Sequence, residues 1–229
     1  MKVLAIGAHP DDIEIFMLGL LLNYKSRNEK IYLAVATDGS AGNILEYPEL
    51  TNIRKTETKQ ALKFLGEPYF FNFTDGELAF IQDKKKEIKN FILSVKPDII
   101  ITHPPEDYHS DHRALSYLVK EATGFICPII YSDTLMGVNF NPEYYIDITK
   151  YFKKKANAIL KHKSQNPKKF LEATKLLNRF RSAQCNAPLG HYAEAYRHEK
   201  TFPFSDIRSL LPPSPGLNLF YKSISKSMI

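Results

Sequence analysis

Residues 3–12 read VLAIGAHPDD, in which a run of apolar and small residues is followed at once by histidine, proline and two aspartates. The run 3–8 is typical of a buried strand, and Pro10 ends it because proline cannot donate a hydrogen bond to a sheet. The largely apolar residues 13–27 have the spacing of a buried helix. A strand, a short polar turn and a helix in this order predict the first unit of a parallel α/β sheet.

Strand-like and helical runs continue to alternate along the chain. In chain order they are a strand at 31–36, a helix at 52–65, a strand at 68–73, a helix at 84–95, a strand at 99–102 and a helix at 111–123. Wholly apolar strands separated by helices indicate a mostly parallel sheet with helices on both faces, which is a three-layer α/β sandwich. Ligand sites in such sheets lie at the carboxyl ends of the strands.

The remainder of the chain is less regular. Residues 128–148 are strand-rich, two helices are predicted within 150–181, and the chain from 203 is rich in proline and serine. The length of 229 residues favours one large domain over two small ones. We therefore predict a single domain over residues 1–229, with a peripheral tail from about residue 203.

Composition excludes several classes of protein. With 44% hydrophobic and 24% charged residues, the chain is neither disordered nor a coiled coil. Cys127 and Cys185 form no CxxC pair, so neither a disulfide scaffold nor a thiolate zinc site is indicated, and a reducing cytoplasm is expected. The apolar stretch 13–22 contains Glu14 and is shorter than the about 20 residues of a membrane span, so no span is predicted.

The positive charge is concentrated in one segment. Residues 150–181 hold eleven Lys and Arg against one acid, a local charge of +10, so the rest of the chain sums to −4 within the net charge of +6. The first interpretation is the solvated face of two helices. An anionic ligand, a membrane surface or a nucleic acid is the alternative, although no zinc-finger spacing or aromatic RNA-binding motif supports nucleic acid.

Four of the seven histidines, His9, His103, His109 and His112, fall in two short stretches that follow predicted strands, and His103 comes directly after the strand at 99–102. His9 and Asp12 are three residues apart across a strand-to-helix turn, and His109 and His112 are three apart at a helix start. Two histidines and a carboxylate from two strand ends form a three-ligand set with a fourth position open for water, which is typical of catalytic zinc. Asp11 can then take a proton from that water. The first motif alone is better explained as a helix cap and the second is ambiguous, so the metal hypothesis rests on their occurring together.

Residues 8–14, AHPDDIE, resemble the signature of the LmbE-like zinc de-N-acetylases. This family includes the N-acetylglucosaminyl-phosphatidylinositol, mycothiol-pathway and bacillithiol-pathway deacetylases. Later matches, in the same order, are Thr37-Asp38-Gly39, Arg54 to Gly66, Asp75-Gly76-Glu77-Leu78, His109-Ser110-Asp111-His112-Arg113, His162-Lys163-Ser164-Gln165 and Tyr192-Ala193-Glu194-Ala195. The similarity covers about residues 2–200, and its first motif together with HSDHR is highly specific.

The resemblance implies a Rossmann-like single domain that holds one zinc ion and hydrolyses the N-acetyl group of an N-acetylglucosamine-type sugar conjugate. At the matching positions His9, Asp12 and His112 bind the metal, and Asp11 is the general base on the zinc-bound water. Imidazole and carboxylate ligands also accommodate Fe²⁺, so iron stays an alternative to zinc. Family members are often oligomeric, which leaves a homo-oligomer open.

The resemblance also assigns the acid side of the reaction. His109 stabilises the oxyanion or protonates the leaving amine, and Asp111 orients its ring. Arg54 contacts the substrate or the developing charge, with a helix ion pair to Glu57 as the alternative. The sequence has no GxSxG elbow and no motif-placed cysteine, which agrees with direct attack by water.

The chain departs from the family beside the signature. Phe16 and Leu18 precede the first glycine of the helix, and Leu20 stands where threonine is common. These bulkier side chains are expected to reshape the pocket without affecting metal binding. Tyr108 and Glu194 are further candidates for the pocket wall, each better explained as structural.

A competing hypothesis is a non-catalytic α/β binding module that uses the basic face of residues 150–181 for an anionic ligand, a membrane or nucleic acid. Such a module does not need Asp11 beside Asp12, whereas a hydrolase does. A nucleotide-binding oxidoreductase is disfavoured because no GxGxxG motif follows the first strand. The sequence therefore predicts a cytoplasmic, zinc-dependent N-deacetylase that acts on a small acetamido sugar, with no nucleic acid as a partner.

Overall fold

The computed structural model describes residues 1–42, 49–80 and 83–216, and its strands form one sheet. The strands are β1 (Lys2–Gly7), β2 (Lys30–Thr37), β3 (Tyr69–Phe73), β4 (Ile99–Thr102), β5 (Ile129–Ser132), β6 (Tyr144–Asp147) and β7 (Ala193–His198). The helices are α1 (Leu18–Ser26), α2 (Leu50–Leu62), α3 (Lys84–Val95), α4 (Ser110–Thr123), α5 (Phe152–Ile159) and α6 (Pro167–Gln184). The predicted α/β class is confirmed.

The sheet has the strand order β3-β2-β1-β4-β5-β7-β6. Each neighbouring pair from β3 to β5 is parallel, whereas β7 pairs antiparallel with both β5 and β6. The carboxyl ends of β3, β2, β1, β4 and β5 therefore lie along one edge. The loops that carry the predicted site residues leave the sheet at that edge.

Each face of the sheet has its own hydrophobic core. Successive residues of a strand point to opposite faces, so Val3 and Ala5 of β1 pack with α1 and α2, while Leu4 and Ile6 pack with α3 and α4. All four of these side chains are fully buried. This double burial explains why β1 is apolar without alternation.

The structure differs from the predicted elements in two places. The helix expected at residues 13–27 begins as a π-helix, Ile13–Met17, before α1 starts at Leu18. Strand β7 was not predicted, because its sequence AEAYRH looks too polar for a buried strand. Most other boundaries differ from the prediction by at most three residues.

Beyond β7 the described chain runs to residue 216. Ile207 is buried against the core on the α1 side of the sheet. Residues 217–229 lie outside the described residues, so the single domain over 1–229 stays a prediction. None of the described helices combines the length and the apolar character that a membrane span requires.

Candidate active site

A cavity of about 230 Å³ opens at the carboxyl edge of the parallel strands. Its wall contains six of the seven predicted site residues, all but Asp111, namely His9, Asp11, Asp12, Arg54, His109 and His112. They come from the turns after β1 and β4, from helix α2 and from the start of α4. The fold therefore brings the two histidine motifs together, although they are about a hundred residues apart in sequence.

The turn after β1 is tightly constrained. The carbonyl oxygen of Ala8 accepts hydrogen bonds from both the backbone N–H and the hydroxyl of Thr37 on β2. Asp12 Oδ2 accepts from the backbone N–H of His9 at 2.7 Å. Asp11 between them adopts φ 128°, a region that residues other than glycine rarely occupy. Strain of this kind persists where the surrounding structure enforces it, commonly at functional sites.

Three donor atoms converge in the cavity, and we refer to them as the donor triangle. His9 Nδ1 and His112 Nε2 are 3.2 Å apart, and each lies 3.4 Å from Asp12 Oδ2. Ligands about 2.0–2.1 Å from a tetrahedral zinc ion lie roughly 3.3–3.4 Å from one another. The donor triangle therefore fits a zinc ion in both spacing and donor chemistry.

The outer nitrogens of both imidazoles face carboxylates. His112 Nδ1 lies 3.0 Å from Asp107 Oδ2, and His9 Nε2 lies 3.1 Å from Asp75 Oδ1 and 3.3 Å from Asp111 Oδ2. Carboxylates in this position fix the tautomer and the orientation of metal-binding histidines. Sequence reasoning missed Asp75 and Asp107. Asp75 lies two residues after the carboxyl end of β3, and this position at a strand end was the signal that could have found it.

Electrostatics favour positive charge in the donor triangle. Burial favours the neutral imidazole, but Asp12 and Asp107 outweigh it and raise the pKa of His112 to about 9. Burial likewise opposes charge on His9, and its contacts with Asp111, Asp12 and Asp75 raise its pKa. The pKa of Asp12 is lowered, because His112 and His103 outweigh its burial. A buried site that stabilises imidazolium in this way is suited to a cation.

His103 lies behind the donor triangle. Its Nε2 is 3.0 Å from Asp12 Oδ2, and its ring stacks on His112 with a centroid distance of 3.7 Å. Burial lowers its pKa. The ring is completely buried and does not line the cavity, so it positions Asp12 and His112. The sequence placed His103 at a strand end without assigning it a role.

Asp11 and Arg54 form one unit. Arg54 donates through Nη2 to the Pro10 carbonyl oxygen at 2.9 Å and to Asp11 Oδ2 at 3.3 Å, and through Nη1 to the Gly39 carbonyl oxygen at 2.9 Å. Burial raises the pKa of Asp11 to about 6, although Arg54 opposes the shift. The alternative pairing of Arg54 with Glu57 is not the arrangement observed. Glu57 accepts instead from Ser164.

His109 is held differently from the expectation. Its Nδ1 accepts a hydrogen bond from the backbone N–H of Asp111 at 3.2 Å, so the ring caps helix α4. The Asp111 carboxylate accepts from the backbone N–H groups of Gly76 and Leu78, and with His9 these bonds outweigh burial and lower its pKa to about 2. The expectation that this carboxylate orients His109 is therefore corrected. The Asp111 backbone does so, because the side chain is already engaged.

Of the other residues noted in the sequence, some line the cavity and some are buried inside the protein. Phe16 and the half-exposed Tyr108 line the cavity. Leu18 and Leu20 are fully buried in the hydrophobic core and do not line it. Glu194 is buried against Lys155 at 2.6 Å and is structural, as expected.

Comparisons with known proteins agree on the family. The model of the family PIG-L, GlcNAc-PI de-N-acetylase, matches residues 4–123. The diacetylchitobiose deacetylase of Thermococcus kodakarensis is 28% identical over 219 residues, which cover 86% of this chain and 82% of that protein.

Solved structures share the fold. The N,N′-diacetylchitobiose deacetylase of Pyrococcus horikoshii superposes with a TM-score of 0.74 at 25% identity, over 86% of this chain and 83% of the other. The 4-carboxy-2-hydroxymuconate hydratase of Pseudomonas putida KT2440 reaches a TM-score of 0.76 at 19% identity, over 86% of this chain and 95% of the other, which indicates a shared fold alone. Since the family model spans more than half of the chain and includes the whole donor triangle, the chain belongs to the PIG-L family.

Proposed function

We propose that the protein is a zinc-dependent hydrolase that removes the N-acetyl group from an N-acetylglucosamine-type sugar conjugate. The observation that carries this proposal is the donor triangle of His9, Asp12 and His112, whose edges match the spacing of a tetrahedral zinc site. The family description and the diacetylchitobiose deacetylases support an acetamido sugar as the substrate. Fe²⁺ is the alternative ion, because the same donors accept it.

Amide hydrolysis needs a nucleophile at neutral pH, stabilisation of an oxyanion and a proton for the leaving nitrogen. A divalent ion in the donor triangle would supply Lewis acidity, which lowers the pKa of water to roughly 7, far below its value in bulk, and polarises a carbonyl group. His9, Asp12 and His112 would hold this ion, and Asp75 and Asp107 keep the imidazole rings in place. The protein then has to move a proton from the water to the leaving nitrogen.

Asp11 accepts the proton of the attacking water. Its carboxylate lines the cavity next to Asp12, and Arg54 fixes it from behind. With a pKa of about 6 this carboxylate is ionised at neutral pH and is more basic than an ordinary aspartate. As the water oxygen bonds to the acetyl carbon, the proton passes to Asp11.

His109 acts on the oxygen of the acetyl group. Because its Nδ1 accepts from the Asp111 backbone, Nε2 is the nitrogen left to donate into the cavity. It hydrogen-bonds the oxyanion through this N–H, and the proton that Asp11 took from the water passes to the nitrogen as the C–N bond breaks. The products are acetate and a free amine. Loss of one oxyanion donor of this kind typically costs about 10²–10³ in rate.

A direct trial uses zinc-loaded protein with N-acetylglucosamine, N,N′-diacetylchitobiose and other N-acetylglucosamine conjugates. We expect acetate and free amine to appear in equal amounts from at least one of them, and none from a His112→Ala variant treated identically. Absence of both products across the panel, from zinc-loaded and iron-loaded samples alike, would contradict the proposal.

A further inference from the structure

The segment between α5 and α6 returns to the cavity and carries a residue that the mechanism above does not use. A 3₁₀ turn, Lys163–Gln165, lies beside the site, and Gln165 is part of the cavity wall. Gln165 is half-buried, whereas its neighbours His162 and Ser164 are buried. The turn therefore presents one uncharged amide to the cavity.

Two buried contacts hold this turn in place. His162 Nε2 lies 2.8 Å from Glu14 Oε1, and Glu14 belongs to the π-helix that begins directly after Asp12. Ser164 donates its backbone N–H to Glu57 Oε1 at 3.0 Å and its hydroxyl to Glu57 Oε2 at 2.6 Å. The turn is thus fastened to the element that follows Asp12 and, through Glu57, to the helix that carries the catalytic-site arginine.

Buried charged groups add little net stability, because desolvation offsets their attraction. Here these groups fix the position of the turn. Glu14, His162 and Glu57 are all at most 9% exposed, and they fix the turn by side chains rather than by the sheet. A binding group held by such supporting contacts loses less freedom when it engages a ligand.

Gly42 shows how closely the cavity wall is packed at this point. A Cβ built on Gly42 would lie 2.7 Å from Arg54 Nη1 and 2.8 Å from Gln165 Oε1. The guanidinium and the amide therefore flank the same backbone position. Gln165 Nε2 donates to the Ser164 carbonyl oxygen at 3.0 Å, and among the described residues none donates to Oε1.

We propose that Gln165 is a specificity-determining residue whose side-chain amide hydrogen-bonds a hydroxyl of the sugar ring that bears the reacting acetamide. His162 and Ser164 are positioning residues that hold it there. A neutral amide, which accepts through Oε1 and donates through Nε2, matches a hydroxyl group, which can do both and carries no charge. This inference rests on the proposed function and adds the group by which the sugar is recognised.

The test compares two substrates that differ in hydroxyl groups. N-acetylglucosamine carries ring hydroxyls, whereas N-cyclohexylacetamide offers the same acetamide on a six-membered ring without them. We expect Gln165→Ala to lower kcat/KM for N-acetylglucosamine about tenfold or more, and to change kcat/KM for N-cyclohexylacetamide less than about twofold. The matched control is Gln60→Ala, which removes an exposed glutamine on α2 and leaves both values unchanged.

Equal losses on the two substrates would overturn the inference, because they would mean that Gln165 only supports the fold of the site. No loss on either substrate would overturn it as well. Ser164→Ala is a second test of the inference, because Ser164 helps to position Gln165. It removes the hydroxyl contact to Glu57, and we expect the same selective loss for the sugar with a smaller amplitude.

Binding separates failure of this inference from failure of the proposed function. Saturation-transfer NMR of N-acetylglucosamine with the full chain needs no turnover. If the wild type binds the sugar without cleaving it, the proposed function fails, and a weaker signal from Gln165→Ala still supports the inference. Equal signals from wild type and variant overturn the inference alone, and no binding by the wild type overturns both.

Discussion

Asp11 combines properties that a surface carboxylate does not have. It occupies a backbone conformation with φ 128°, it is buried, and an arginine contacts its Oδ2. Helix capping explains none of these, since no side-chain cap bond forms at the start of the following helix. The conformation aims Asp11 into the cavity while its neighbours His9 and Asp12 supply two corners of the donor triangle.

Asp11→Asn tests whether Asp11 accepts a proton while His9 and Asp12 bind the metal. Asparagine tolerates positive φ better than most residues and keeps the shape of the side chain, but it cannot accept a proton. We expect kcat to fall about 10²–10⁴-fold while bound zinc, measured by elemental analysis, stays at the wild-type ratio. Full activity in this variant, or loss of its zinc, would remove Asp11 from the role of base.

Gly42 offers a second test at the same scale. In Gly42→Ala the added methyl group has to displace Arg54 or Gln165, because both lie under 3.0 Å from it. Small displacements of positioning groups cost up to about 10²-fold in rate, so we expect kcat/KM to fall at least tenfold with little change in unfolding free energy. Gly216→Ala, which meets nothing within 4 Å, is the control and should behave like the wild type.

At the scale of elements, strand β7 is held by one carboxylate. Glu194 accepts hydrogen bonds from the backbone N–H groups of Gly19 and Leu20, from Lys155 Nζ and from the Tyr196 hydroxyl. Two of these contacts join β7 to the first turn of α1, which follows the π-helix. They also explain why a polar residue is tolerated in a strand that is almost wholly buried.

Removal of this carboxylate should destabilise the protein strongly. Glu194→Ala leaves the Lys155 ammonium buried without its partner, and we expect a loss of about 3–5 kcal/mol in unfolding free energy by urea denaturation. The double variant Lys155→Met with Glu194→Gln removes both charges and should recover most of the loss. If Glu194→Ala lowered the unfolding free energy by less than about 1 kcal/mol, the ion pair of Glu194 with Lys155 would not be needed to hold β7 in place.

The same contacts show where prediction from sequence ends. Strands β1, β2 and β4 were predictable because their own residues are apolar and end at turn signals. Strand β7 was not, because the burial of Glu194 depends on Lys155, which lies 39 positions away, and on backbone groups about 175 positions away. Local patterns carry no information about partners at such separations.

The site was predictable to a similar degree. Histidine spacing at two strand ends was enough to expect His9, Asp12 and His112 to meet, because parallel strands place their carboxyl ends at one edge. The contacts around them were not. Whether the Asp111 carboxylate faces His109 or the backbone of Gly76 is decided by a loop from β3, which spacing within one motif cannot reveal.

For the whole molecule, the basic segment proves to be only partly a solvated face. Lys155 and Arg181, two of its eleven cations, are buried and paired with Glu194 and Asp133. The fold itself does not select a reaction, since a hydratase shares it, so the assignment depends on the donor triangle and the deacetylase relatives. A homo-oligomer and the absence of nucleic acid as a partner stay predictions.

A bound ion should stabilise the entire domain. A ligand that binds only the folded state at a thousand times its dissociation constant contributes about 4 kcal/mol, and the donor triangle joins the ends of two strands. We expect chelation with EDTA to lower Tm by several degrees and added zinc to restore it. His112→Ala should respond to neither treatment, and an equal response in that variant would place the ion elsewhere.

The proposed reaction depends on one divalent ion that binds where His9, Asp12 and His112 meet. The most direct measurement is anomalous diffraction at the zinc absorption edge from crystals of the zinc-loaded protein. We expect one strong peak about 2.0–2.2 Å from His9 Nδ1, a carboxylate oxygen of Asp12 and His112 Nε2. A fully zinc-loaded crystal with no peak among these atoms, or with its peak on other residues, would contradict it.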